Sequence, residues 1–525
     1  MPGAPAIEAP LATESTPRPT RVLSLYPWLV VTVLVAAAAL LYVHALGQKS
    51  VWIDEGVSIE MARLDWYNFV RILWRHEANM VLHTLLLRFW LLFGASEGWA
   101  RTPSVLAALA TIPAVFVLGR KLFDARVGLM ASFLLTINAF HIRYAQEARS
   151  YSLFAFLCVF SCIYFLKFVE DPSRANRKGH VLTSVLAVYT HFFAGLLIVA
   201  QWLSLKVLDR KQLQPLAKKS WRQIGIAIIP LIVFVATTGL GVLRWIPRPG
   251  LTSLYITSIY LTGGGGSKLV WLYLGACAIA LLPVVPSLFR YRRLSWEAWR
   301  YTFVALWLLF PIAAAFLLSQ WKPCFLARYF IFTLPALVLL TAAGIARLHW
   351  RLLMAGVLLL FGAWSLPAVN LGYSKDIDVV REDFRAATKY ILANAETGDA
   401  ILFYQPIGRM PYEYYRSLTA ASAYPTVVYP EHGGSLTFKD FYAGRPPDAV
   451  LTAIASHYRR VWIVLTHNIV NGAPDATTAI IDSLFASQYP GLVRKEFQQI
   501  DLHLYCRGDV ERGACSGKRT DSLLK

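Results

Sequence analysis

Apolar runs of bilayer-crossing length, or close to it, recur through the first 370 residues, and the loops on one side of them are basic. Such a chain folds as a bundle of helices in lipid, where a helix satisfies every backbone N–H and C=O within itself. The runs lie at about 27–46, 101–119, 127–142, 151–168, 181–193, 194–206, 223–243, 268–288, 301–319, 329–345 and 352–370. Five loops, 120–126, 167–180, 206–222, 290–300 and 347–351, carry 19 Lys and Arg against five Asp and Glu. Cytoplasmic loops of membrane proteins concentrate Lys and Arg, so all five are assigned to the cytoplasm. About 11 spans then place the N-terminus inside and residues 371–525 outside. The fifth and sixth runs are short for a crossing, which takes ~20 residues.

Composition excludes other classes. Charged residues are 16% and apolar residues 56% of the chain, where a soluble domain carries roughly 25% charged residues. That rules out a plain cytosolic enzyme, and a disordered chain needs low hydrophobicity. The net charge is +20, yet residues 371–525 hold 17 basic and 17 acidic residues, so the excess belongs to the membrane part. It sits in short loops, not on one folded surface, so nucleic acid is not an expected partner. Six Cys in 525 residues make no disulfide scaffold, and no Cys/His spacing suits zinc.

The pattern predicts a polytopic α-helical membrane protein with a long first outer loop and a C-terminal extracytoplasmic α/β domain. Residues 1–24 read as a disordered cytoplasmic tail, 25–370 as the membrane domain and 371–525 as the outer domain. The outer loop spans 47–100, and its apolar stretch 80–94, interrupted by Arg88, reads as an interfacial helix. In 371–525, helices are expected over 381–395 and 475–488, and buried strands over 400–404, 461–466 and 502–506. Cys506 and Cys515 are expected to pair in the oxidising outer space.

Few residues on the outer side carry chemistry. Only seven acidic residues fall there before residue 371: Asp54, Glu55, Glu60, Asp65, Glu77, Glu97 and Glu147. The adjacent pair Asp54-Glu55 follows the first span. A partly desolvated carboxylate there can act as a general base or hold a divalent metal; alternatively Asp54 caps a helix starting near Gly56, with Glu55 favoured by its dipole. The stretch His141-Ile-Arg-Tyr-Ala-Gln-Glu-Ala-Arg-Ser-Tyr151 is dense in polar groups for a short loop. Its Arg143 and Arg149 suit a lipid phosphate, or else simply snorkel to the interface. Arg101, Lys322 and Arg328-Tyr329 lie on the same side, as does His191 between the short fifth and sixth spans. Gly263-Gly-Gly-Gly-Ser-Lys268 lacks the Gly-Lys-Ser/Thr ending of a phosphate loop and reads as a flexible outer loop.

Taken in order, these residues resemble the C-type glycosyltransferases, in particular the family 39-like bacterial relatives of protein O-mannosyltransferases and of the lipid A aminoarabinose transferase. The likeness runs through Asp54-Glu55, Glu97…Arg101-Thr-Pro-Ser104, Leu118-Gly-Arg-Lys-Leu-Phe123 and His141…Gln146-Glu-Ala-Arg-Ser-Tyr151. It continues through Tyr189-Thr-His-Phe-Phe193 and Arg328-Tyr-Phe…Leu334-Pro335, about residues 25–370 in all. The segment Arg381-Glu-Asp-Phe-Arg385…Gly398-Asp-Ala-Ile-Leu-Phe403 resembles the outer domain of a bacterial subset. The chain departs from the pattern at Asn79-Met-Val-Leu-His83, where many relatives have a Pro-Pro-Leu-Tyr-like stretch, and at Glu147, where several have Asp.

The resemblance implies a multi-pass enzyme of the bacterial cytoplasmic membrane. It would move a mannose-like or other sugar, with inversion, from a polyprenyl-phosphate donor to a hydroxyl of a lipid, glycan or protein acceptor on the outer face. Asp54 would be the base, with Glu55 beside it. Arg101, Arg143, Arg149, Lys322 and Arg328 would hold the donor phosphate. His83, His141, Glu147, Tyr151, His191 and Tyr329 would line the substrate site. The resemblance names no definite cofactor and leaves a divalent metal open. Two other classes use the same features: a flippase or transporter of lipid-linked sugar, and a non-catalytic glycan-assembly protein of the cell envelope.

Overall fold

The structure, a computed structural model, describes residues 25–507 apart from 76, 78, 209–212, 239–245, 287–293, 374–380, 431–433 and 471–472. The N-terminal tail and Cys515 lie outside the described residues; Cys506 is disulfide-bonded.

Among the described residues, six helices are long and apolar enough to cross a membrane: Leu25–Val43, Glu97–Leu122, Tyr151–Glu170, Trp296–Leu318, Ala327–Ile345 and Arg351–Tyr373. Their ends follow from local chemistry. Ser96 accepts the Trp99 N–H to start Glu97–Leu122, with Glu97 in its first turn and Arg120 and Lys121 in its last, charges that complement the helix dipole. Three bent pairs raise the number to nine: Ala125–Thr136 with Ala139–Ala145 at 64°, Leu213–Ala227 with Ile229–Thr237 at 50°, and Leu251–Leu261 with Gly266–Leu281 at 81°. The first break is built by Asn138, which accepts the His141 N–H and donates to the Leu261 carbonyl, both at 3.0 Å.

Two expectations differ from what the described residues give. The fifth and sixth runs form the helices Arg174–Thr190 and Ala194–Val207, of 17 and 14 residues. Neither has the length and apolarity of a crossing helix, so the count of eleven is not what the described helices give. Gly263–Lys268, expected as a flexible outer loop, forms the sharp bend between the helices Leu251–Leu261 and Gly266–Leu281 and the first turn of the second. Gly263, Gly264 and Gly266 have φ of +96°, +79° and +77°, values that residues with a Cβ seldom adopt. Apolar, uncharged helices of this length give the same hydropathy signal whether they span or lie bent.

Helices in the bundle approach to backbone contact. A Cβ on Gly344 would lie 1.9 Å from the Ala276 carbonyl oxygen, so Leu334–Ile345 and Gly266–Leu281 are held together by a side chain that is absent. This is the small-residue packing that replaces the hydrophobic effect between helices in lipid.

The loop 47–100 carries three helices, Ile53–Arg63, Trp66–Arg75 and Val81–Trp90. After residue 380 the chain builds a five-stranded sheet in the order Thr426–Tyr429, Ala400–Phe403, Arg460–Leu465, Ile500–Cys506, Gly491–Phe497. The first three strands are parallel to one another, and Ile500–Cys506 runs antiparallel to both of its neighbours, Arg460–Leu465 and Gly491–Phe497. The central strands are buried along their length, as a sheet covered on both faces requires. The helices Phe384–Asn394, Arg409–Leu418, Asp448–His457 and Ala476–Gln488 accompany it. The strands 426–429 and 491–497 and the helices 409–418 and 448–457 went unread in the sequence; the outer strand Gly491–Phe497 alternates exposure with little apolar signal. Helix Ile53–Arg63 rests on Arg409–Leu418, where a Cβ on Gly56 would come 2.7 Å from the Pro411 ring.

Candidate active site

Asp54 and Glu55 sit in the first turn of Ile53–Arg63, so Asp54 is not its cap; Trp52 holds that position and offers no side-chain cap. One residue turns a helix by about 100°, and the two carboxylates face different surroundings.

Glu55 is fully buried and locked. Its two oxygens take Arg101 Nε and Nη2 at 2.8 and 2.7 Å, and one also takes the Ala148 N–H at 2.8 Å. The remaining Arg101 N–H groups go to the carbonyls of Leu46 (2.7 Å), Lys49 (3.0 Å) and Ser50 (3.1 Å). All five guanidinium protons are therefore used. Burial works against the charge on Glu55, but the Arg101 pair outweighs it and keeps the carboxyl ionised. Glu55, expected beside the base at the catalytic site, and Arg101, expected as a phosphate ligand, are instead bound to each other in a closed tie.

Asp54 is open. Its side chain is 26% exposed, against 0% for Glu55. Arg328 Nη1 lies 3.0 Å and Arg149 Nη2 3.9 Å from Asp54 Oδ2. Arg149 Nη1 also donates to the Asp54 carbonyl at 3.0 Å and the Ser58 hydroxyl at 2.9 Å. Burial would raise the Asp54 pKa, and Arg149, Arg328 and Arg381 together bring it below the ordinary carboxylate value. The Trp52 ring lies beneath two of these cations, 5.9 Å from Arg328 and 5.2 Å from Arg381. Tyr151 lies 5.9 Å from Arg149 and Tyr329 5.9 Å from Arg328. His191 packs between Phe154 and Tyr329, each at 4.8 Å. The loop, the tight turn before Tyr151 and the start of Ala327–Ile345 thus converge on one carboxylate.

Other expected residues are placed differently. His141 accepts or donates to the Tyr42 hydroxyl at 2.8 Å, and Gln146 Nε2 donates to the carbonyls of Tyr42 and His44, so this end of the cluster fastens the first span. Glu147 pairs with Arg381 and lies 3.5 Å from Arg143. Arg143 instead borders a separate cavity of about 240 Å³ with Lys49, Tyr260, Gly263 and Tyr373. Lys322 is exposed, and among the described residues no ion pair or ring contact joins it to Asp54. His83 is buried with neither ring nitrogen hydrogen-bonded; burial and the Arg149 charge push its pKa down to about 3.

Four residues at the site went unassigned in the sequence. Glu77 is raised to about 7 by burial, opposed by Arg149 and reinforced by Asp54. Arg381 and Glu382 reach in from the segment after 380, and His467 pairs with Glu382 at 2.7 Å. The sequence signals available were the short tally of outer acidic residues, which includes Glu77, and the Arg381-Glu-Asp-Phe-Arg385 motif.

A divalent cation does not suit this donor set. Asp54 already faces three guanidinium groups and both Glu55 oxygens are taken, and no cluster of three or more His, Cys, Asp or Glu is placed to hold a metal among the described residues.

Comparison with known proteins agrees with this architecture. Residues 80–239 match the family model described as dolichyl-phosphate-mannose-protein mannosyltransferase. No curated protein matches the chain by sequence. The crystal structure of ArnT from Cupriavidus metallidurans in the apo state is similar at a TM-score of 0.60 and 13% identity, over 91% of this chain and 98% of that one. The same protein bound to undecaprenyl phosphate gives 0.58 and 14%, over 90% and 97%. The Archaeoglobus fulgidus oligosaccharyltransferase, in complex with Zn and sulfate, gives 0.52 and 11%, over 83% and 67%. The chain thus shares the fold of ArnT over nine-tenths of its length, and within it residues 80–239 match the dolichyl-phosphate-mannose-protein mannosyltransferase family model.

Proposed function

We propose that this protein transfers a sugar from a polyprenyl-phosphate donor to an acceptor hydroxyl at the outer face of the bacterial cytoplasmic membrane, with Asp54 as the base. The observation that carries the reading is one accessible carboxylate held between Arg149 and Arg328. The undecaprenyl phosphate bound to the similar ArnT supports the donor class. The acceptor oxygen attacks the anomeric carbon while the bond to the donor phosphate breaks, through an oxocarbenium-like state. Asp54 takes the hydroxyl proton. Arg149 and Arg328 stabilise the negative charge that collects on the departing phosphate.

Purified protein is expected to transfer sugar from a polyprenyl-phosphate donor and not from the matching nucleotide sugar; efficient use of the nucleotide sugar would refute the donor assignment. Removing Arg149 or Arg328 singly should lower kcat/KM by ~10- to 150-fold, the worth of a charge-assisted contact of about 1.5–3 kcal/mol. Lys should rescue poorly where the contact is bidentate. Full activity of both alanine variants would reduce these residues to interface anchors.

The outward placement of residues 371–525 follows from the basic loops and is supported by the disulfide at Cys506, since such bonds persist in oxidising compartments. A reporter active only outside the cytoplasm should work when fused after Ala400 and stay silent near Ala175 or Ala217. A signal at Ala217 would reverse the assigned topology.

A further inference from the structure

The helix that presents Asp54 is not fixed by its own neighbours in sequence. Its cap residue Trp52 supplies no side-chain acceptor, and the first N–H groups of a helix need one from elsewhere. The acceptor comes from a residue 329 positions away: the Ile53 N–H donates to Glu382 Oε2 at 3.3 Å. Glu382 is buried, and its other oxygen takes His467 Nε2 at 2.7 Å. The adjacent Arg381 lies over the Trp52 ring at 5.2 Å and pairs with buried Glu147. Four residues further, Arg385 binds Glu97 at 2.9 Å and the carbonyls of Gly47, Gln48 and Lys49 at 2.8–3.1 Å. Tyr415 accepts the Val51 N–H at 2.7 Å and donates to Glu97 at 2.6 Å. From residue 47 to residue 53, the approach to the base is therefore held by side chains of the C-terminal unit.

We infer that Arg381 and Glu382 are positioning residues for Asp54, and that the C-terminal unit is a working part of the active site and not an appended binding module. The inference rests on the proposed function. It differs from a purely structural role in what it moves. Asp54 is faced by Arg149, Arg328 and Arg381, with Glu77 and His467 also near enough to interact with it. Losing Arg381 removes one of three cations, and losing Glu382 frees the helix start, while the phosphate ligands Arg149 and Arg328 remain.

The test uses the full-length protein in detergent or nanodiscs. Glu382→Ala and Arg381→Lys should each lower kcat by at least ~10-fold, the scale of a small misplacement of a reacting group, with donor KM unchanged and the folded fraction equal to wild type. Arg381→Gln should in addition move the acid limb of kcat/KM to higher pH, and Arg381→Lys should not. Wild-type rates in both Glu382→Ala and Arg381→Lys would overturn the inference. So would a loss of rate that only tracks a loss of folded protein. If the wild-type protein itself transfers no sugar from a polyprenyl-phosphate donor, the functional reading fails, a result distinct from wild-type transfer with unaffected variants.

Discussion

Asp54→Asn is expected to lower turnover by at least ~10²-fold, the lower end of what a positioned base contributes. The amide keeps the shape of the side chain but cannot take a proton. Arg149 and Arg328 would remain in place, so donor affinity should change little and the protein should stay folded. A pH profile adds an independent check. The Asp54 pKa is depressed, so the active, ionised form persists through the neutral range. Activity that depends on it is lost only as pH falls below the ordinary Asp value of ~3.9. A limb near pH 7 belongs to Glu77, which burial raises to about 7, and it should vanish in Glu77→Gln. A fully active Asp54→Asn variant would remove Asp54 from the chemistry.

The neighbouring residue should behave oppositely. Arg101→Met leaves Glu55 as an uncompensated buried charge and strands the carbonyls of Leu46, Lys49 and Ser50 without their donor. Separating a buried ion pair costs about 3–5 kcal/mol, which shifts the folding equilibrium by roughly 10²- to 10³·⁵-fold. The expected readout is a large fall in the temperature at which the detergent-extracted protein loses its monodisperse form. Any surviving folded enzyme should bind donor normally. A stable Arg101→Met protein with weakened donor binding would return Arg101 to the phosphate site.

Asp54 and Glu55 also mark how far the sequence can be read. The pair was legible as chemistry because carboxylates are scarce on that side of the membrane part. Which of the two works was not, because adjacent residues on a helix part company only when their partners are known. Arg101, Arg149 and Arg328 are equivalent as charges on an outer surface. Geometry divides them: one spends every proton on protein oxygens and two lie part-buried beside Asp54. The long uncharged helices were legible because lipid imposes their length. The bends at Asn138 and at Gly263–Gly266 were less so, since a broken helix and a straight one share one hydropathy profile. The contacts of Arg381 with Glu147 and of Glu382 with Ile53 join positions more than 200 residues apart, and no local pattern encodes such a distance.

The Arg101 tie sets more than the fate of one carboxylate. It staples the turn at Leu46–Ser50, where the first crossing helix ends, to the first turn of the next long one. Under the proposed topology, the carboxylate two residues beyond Trp52 would thereby be held at a constant altitude above the lipid, set by bonds inside the protein. In the proposed reaction, the donor's phosphate would meet the site at that altitude whatever follows it into the bilayer. Carriers with longer or shorter prenyl tails would be handled alike, and discrimination would fall to the sugar and its phosphate.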